Sequence, residues 1–201
     1  AATVTDVTSA GRVAASVADG ASLAVAGATR VVALGEARQR AESDSNAFGI
    51  AAAGVSRAEV RSTDQVLAFV GAGAELTGGS LSVAATGDHD NLVRTVAGSG
   101  GVVAGAAAIA RTDNDSVTIA ELRDDVSVTL GNDGGTGDFA VAADHTARFN
   151  GQVLTTAGGA LAGSGADVDH AVDATVTAAV GSDAVVQARD VALDAANRAV
   201  K

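Results

Sequence analysis

The sequence predicts an all-β fold of stacked repeats, a β-solenoid of the parallel β-helix kind, on three observations. A long internal repeat recurs along the chain, apolar residues alternate with period two inside it, and Gly/Asp/Ser clusters bound the alternating runs. Three segments align without a gap, starting at Gly49, Gly101 and Gly159. Their small and apolar positions coincide at Ala52, Ala104 and Ala162, at Ala68, Ala120 and Ala178, at Val70, Leu122 and Val180, and at Leu76, Val128 and Val186. A truncated fourth copy supplies Ala15, Val17, Ala21 and Leu23. The chain divides accordingly into a truncated repeat 1–48, repeats 49–100 and 101–158, and a partial repeat 159–201, all in one segment spanning 1–201.

Taken in chain order, each unit shows the same parts. Ala68 and Val70 lead into Gly71-Ala72-Gly73; Ala74 and Leu76 follow, then Gly78-Gly79 and the pair Leu81 and Val83. Alternation of this kind is a strand with one face inward, and the glycines read as turns. Short strands, roughly four to six residues each, are expected. The repeat starting at Gly101 is longer than the one starting at Gly49, and the addition has one location, the loop GNDGGTGD from Gly131 to Asp138, because Val83 to Gly101 and Val141 to Gly159 are equal in length. Loops grow cheaply whereas buried strands cannot slip. The rival is an Ala-rich helical array, suggested by residues 106–110 and 190–200, but Gly, Val and Thr crowd those segments and oppose a helix. A unit as long as Gly49 to Gly100 suits two coils, each climbing ~4.8 Å, so about seven or eight coils are expected, with Ala, Val and Leu inside and Thr, Asp, Arg and Asn outside. Both ends fall within a repeat, which points to an excerpt of a longer array or to covered ends.

Composition narrows the function. The chain has 201 residues, 13 Lys+Arg against 24 Asp+Glu, a formal charge of −11, and no Cys, Pro, Met, Trp or Tyr. Without cysteine there is no disulfide framework, thiolate nucleophile or Cys-based metal site. An acidic chain whose sole lysine is Lys201 offers neither the basic stripe nor the aromatic platforms of a nucleic-acid surface. No stretch reaches the roughly 18 apolar residues of a membrane span, and residues 1–20 lack the basic and apolar regions of a signal peptide.

The units combine an Ala/Gly-rich segment, a strand of the type VLAFVGAGA, a loop, and an alternating strand ending in Ala, as in Val66 to Ala85 and Val176 to Ala195. This pattern resembles the repeats of large bacterial filamentous surface adhesins, the haemagglutinin-like and leukotoxin-like proteins, over essentially the whole chain. The copy starting at Gly101 departs from it, with Glu121 to Asp125 replacing the small-residue turn. The resemblance implies a secreted stalk at the bacterial cell surface and carries no catalytic residues.

Candidate chemistry is sparse. GNDGGTGD looks like a fragment of a Gly/Asp-rich calcium-binding nonapeptide, but its Asp follows one position early and no tandem copy completes a cage. Asp113-Asn114-Asp115, Asp88-His89-Asp90, Glu42 and Asp44 read as charged loops that keep the array soluble. His89, His145 and His170 lie in different columns and give no HxH or HExxH spacing, so they read as exposed surface histidines. Asp124 with Asp125, or Asp167 with Asp169, could supply a glycosidase carboxylate pair, yet no Trp or Tyr exists to hold a sugar. No GxSxG elbow or phosphate loop occurs; Gly98 to Gly101 lacks the following Lys-Ser/Thr. Thr3, Thr5, Thr118, Thr175 and Thr177 read as outward threonines, and an ice-binding face is opposed by Leu67 and Ile119 in the column of Thr177.

The expectation is a structural stalk segment of an extracellular filamentous adhesin, a stiff rod serving attachment or biofilm contact. No catalytic residue, cofactor or metal ligand is assigned. The partners expected are neighbouring repeats of the same polypeptide or end-to-end subunits, with a cell-surface or matrix partner elsewhere, and neither nucleic acid nor membrane insertion. The alternatives are a calcium-stabilised secreted repeat domain and a β-helical polysaccharide-degrading enzyme.

Overall fold

The computed structural model describes residues 1–131 and 137–201. It is all-β with parallel sheets, and no helix occurs among the described residues. The strands are β1 Ala2–Ser9, β2 Arg12–Val17, β3 Ser22–Phe48, β4 Ala51–Ser62, β5 Gln65–Val70, β6 Glu75–Gly100, β7 Val103–Asn114, β8 Val117–Leu122, β9 Ser127–Leu130, β10 Asp138–Gly158, β11 Leu161–Val172, β12 Thr175–Val180, β13 Val185–Gln187 and β14 Asp190–Val200. Residues 106–110 lie in β7 and 190–200 form β14, so the helical rival fails where β-branched neighbours oppose it.

Among the described residues three sheets form, and their pairings are parallel. One has the order β1-β4-β7-β11 and a second β12-β8-β5-β2; the third holds the long strands β3, β6, β10 and β14 with the short β9 and β13. Register ties the repeats together: Leu67 pairs with Ile119, and Ile119 with Thr177. The insertion is visible in the same register. Ser127 pairs with Glu75, whereas Phe139 pairs with Leu81, so the added residues lie between β9 and β10. The amides of Gly131 and Gly137 reach the carbonyls of the adjacent residues Gly78 and Gly79, both at 2.8 Å, which places the insertion at one point of the frame. At the other end of the stack, the pairing of β3 with β6 shifts by one residue across a bulge between Val25 and Ala28.

This register corrects the expected coil count. Each strand's hydrogen-bonded neighbour lies a whole repeat away in sequence, not half a repeat away, so each repeat contributes one level and the chain spans the truncated copy and its three successors. The reason is strand length. Short strands hold for β2, β5, β8 and β12, with 6 residues each, but β6 has 26 residues, ~85 Å at strand rise. One such strand uses half a repeat. Gly78-Gly79 is therefore not a turn; both glycines lie inside β6.

Within a level the chain runs out along the first two sheets and returns along the third. Thr3 Oγ1 donates to the Asp44 carbonyl at 3.0 Å and Thr5 Oγ1 to that of Glu42 at 2.9 Å, so the two layers run in opposite directions. The outer turn lies at Asp19-Gly20 and repeats at residues 72–73, 124–125 and 182–183. Its second residue is left-handed in every level: Gly20 φ 67°, Gly73 φ 66°, Asp125 φ 58° and Asp183 φ 57°. Gly has no steric penalty there and Asp tolerates it, which explains how Glu121 to Asp125 can replace the small-residue turn.

Among the described residues the space between the layers holds three apolar clusters. The largest packs Val66, Leu81, Val83, Leu122, Val128 and Phe139 near the turn; smaller ones gather Ala41, Val60 and Val93, then Ala97, Ala106 and Ala108 toward the far edge. Small residues dominate there because the layers approach closely: a Cβ on Gly54 would collide with the Gly98 carbonyl oxygen. The inside is not apolar throughout, contrary to expectation. Between the clusters Gln39, Ser62, Asp64, His89, Asn91, Asn114, Ser116, Thr118 and His145 are all buried. Thr118 thus faces inward, as part of an alternation whose inward positions include polar side chains.

Candidate functional site

The buried polar band lies where the outward run of each level is interrupted. Between β4 and β5, and between β7 and β8, two residues leave the strand pattern, and their flanks stay bonded across levels: Gln65 N donates to Gly11 O at 2.8 Å and Val117 N to Asp64 O at 2.9 Å. Alternation places Asp64 and Ser116 inward at these interruptions. The long strands β6 and β10 bring His89 and His145 to meet them.

The contacts form a chain through the stack. The Asp64 carboxylate accepts from Ser9 Oγ at 2.7 Å and from Gly11 N at 2.5 Å through Oδ1. Its Oδ2 lies 3.5 Å from His89 Nε2. His89 Nδ1 is 3.0 Å from Asn114 Nδ2, and Ser116 N donates to Asn114 Oδ1 at 3.3 Å. His145 meets His89 edge to face, ring centroids 4.9 Å apart, and its Nδ1 is 3.2 Å from Thr118 Oγ1. One step along, Ser62 Oγ lies 3.0 Å from Gln39 Oε1 and 3.2 Å from Asn91 Oδ1. His170 pairs with Thr112 at 2.5 Å and packs against Phe149.

Burial governs the electrostatics. It pushes the pKa of His145 down to about 4, with His89 adding repulsion, because a charged imidazole loses its hydration there. Burial also lowers His89 against the opposing pull of Asp64 and Asp88, and lowers His170. Both His89 and His145 are therefore neutral at pH 7.

The histidines correct the sequence reading. Their columns do differ, His89 pairing with Ala147 and His145 with Gly87, but these columns are neighbours on the inward face. Asp88 and Asp90 flank His89 and point outward, where Asp88 pairs with Arg148. Asp64 was missed altogether. Its signal was an acid at an inward position of the alternation Ser62, Asp64, Val66.

The other sequence candidates scatter over the outer surface. Asp113 pairs with Arg61 and Asp169 with Arg111, each at 3.1 Å across levels, and Glu42 pairs with Arg40. Asp124 accepts from Ser182 N at 2.8 Å and Asp125 is the left-handed turn residue, so that pair serves the backbone. The loop from Gly131 to Asp138 has residues 132–136 outside the described residues. Among the described residues no three His, Cys, Asp or Glu side chains converge as a metal cage.

A cavity of about 110 Å³ opens beside Asp64 and His89, in the space that Gly11, Gly35 and Ala37 leave. Its chemistry is a fixed carboxylate oxygen next to an imidazole nitrogen. Ser9 Oγ is turned to Asp64 rather than to an imidazole, so the trio is not arranged for nucleophilic attack. No family model, curated protein or solved structure matches the chain. No helix among the described residues is long and apolar enough to cross a membrane.

Proposed function

We propose that the chain is a β-solenoid segment of a bacterial filamentous surface adhesin, a structural stalk that spaces a binding region from the cell. The observation carrying this reading is the register, in which successive repeats lie side by side through all three sheets. A unit that hydrogen-bonds its copy above and below can be repeated without limit, each adding ~4.8 Å of length. The stalk is broad, since each level is two layers of long strand. Cross-level pairs such as Arg61 with Asp113 and Arg111 with Asp169 lie on its surface, and the charge of −11 disfavours side-by-side association at low salt. The extracellular location rests on the resemblance of the repeats alone.

Duplicating residues 49–100 in tandem tests the reading by small-angle scattering. The axial dimension is expected to grow about 5 Å per added copy at constant cross-section; growth in cross-section, or loss of β structure, contradicts it. Beads coated with the chain are expected to bind host cells and matrix no better than beads carrying an unrelated acidic protein. Selective capture would make this segment the adhesive part instead of the spacer.

A further inference from the structure

We propose that Asp64 and His89 form a two-residue clamp for a divalent transition ion of the zinc type, whose remaining ligands are waters held in the adjoining cavity. Three observations carry it. The first is separation: two ligands bonded at about 2.0–2.1 Å to a tetrahedral ion stand ~3.3 Å apart, and Asp64 Oδ2 lies 3.5 Å from His89 Nε2.

The second is support behind each ligand. Ser9 Oγ and Gly11 N hold Oδ1 of Asp64, which leaves Oδ2 buried, without a hydrogen-bond partner, and directed at the imidazole. The Asn114 amide holds His89 Nδ1, and His145 packs edge-on against the ring. Ligands oriented by an outer set of hydrogen bonds are characteristic of transition-metal sites. Ion binding at Nε2 requires the tautomer with its proton on Nδ1, so the Asn114 amide, whose Nδ2 now faces the ring, must turn its oxygen there and give up the 3.3 Å bond from Ser116 N.

The third is charge and room. Asp64 is 6% exposed, and among the described residues the titratable group against it is the neutral His89, with no Arg or Lys in ion-pair contact. A buried carboxylate without a cation is costly, and a divalent ion offsets that cost. The cavity volume of about 110 Å³ accommodates an ion with several waters, each of which needs ~10–15 Å³. Glu36 and Gln65 on its wall are exposed, giving a path to solvent.

The repeat supplies substitutions that keep the fold. His89 shares its column with Ala37 and Ala147, and the residue one repeat beyond Asp64 is Ser116, so His89→Ala and Asp64→Ser each install a residue the frame already carries. Chelator-treated chain is titrated with Zn²⁺ by calorimetry and with Co²⁺ by visible absorption, with circular dichroism confirming that each variant is folded. The expected result is one saturable ion per chain, a Co²⁺ spectrum of low-coordinate nitrogen and oxygen ligation, and a loss of affinity of about 10-fold or more in both variants. Absence of saturable binding by the folded wild-type chain overturns the proposal. So does binding that is undiminished in His89→Ala, which would assign the ion to surface carboxylates.

Discussion

Acid should loosen this protein through one identifiable side chain. His145 is fully buried, and its pKa falls from the ordinary 6.5 to about 4, chiefly by burial. Unfolded chain therefore takes up a proton on this residue before folded chain does. The stability tied to neutral His145 is complete above pH 6.5 and is lost as pH falls toward 4. A fall from 6.5 to about 4, at ~1.4 kcal/mol for each tenfold change in proton affinity, sets an upper bound of about 3 kcal/mol, and about 2 kcal/mol is expected once solvent screening near the thin interior is allowed for. The comparison variant is His145→Asn, because the next repeat carries Asn197 in the same column. Urea denaturation of both proteins from about pH 7.5 to 4, with chelator present, gives the assay. The variant starts less stable at the upper pH, having lost the Thr118 contact, but its stability should fall by about 2 kcal/mol less over that range. Parallel pH profiles for the two proteins would refute the reasoning and place the acid sensitivity in His89 or the carboxylates.

Further predictions concern the backbone. Gly54→Ala should cost roughly 1–3 kcal/mol, since its Cβ meets the Gly98 carbonyl, whereas Gly105→Ala finds nothing within 4 Å and should be neutral or stabilise by up to about 1 kcal/mol; thermal melts separate the two. Asp125→Val should destabilise by about 1–2 kcal/mol because a β-branched residue resists φ 58°, while Asp125→Gly should be tolerated, as Gly73 already occupies that column; the same melts check both.

The frame of this fold was legible because buried strands fix spacing. Aligning Ala68 with Ala120 and Ala178 is the same statement as the register that pairs them, and the added residues at 131–138 follow from the change of offset. Coil number was not legible. Periodicity two marks strand but says nothing of where a strand bends, and Gly78-Gly79, a turn by composition, is extended because a close approach to the Val25 carbonyl favours glycine there. The polar interior was hidden for a related reason. Composition alone assigns His, Asn and Asp to the surface, yet the positions of His89, Asn91 and Asp64 in their alternations place them inward, where each finds a partner from the facing layer or a neighbouring level.

The central claim, that each repeat forms one level bonded to the next, is tested most directly by disulfide trapping. The chain contains no cysteine, so a double substitution reports on a single pair. Leu67 and Ile119 are register partners on adjacent parallel strands, and a spacing of ~4.8 Å lies within the range a disulfide spans. Leu67→Cys with Ile119→Cys should oxidise rapidly to an intramolecular bond in the folded monomer. Leu67→Cys with Val93→Cys, 26 residues or half a repeat apart as two coils per repeat would require, should not. The reverse outcome, with the second pair closing and the first remaining free, would contradict the one-level repeat.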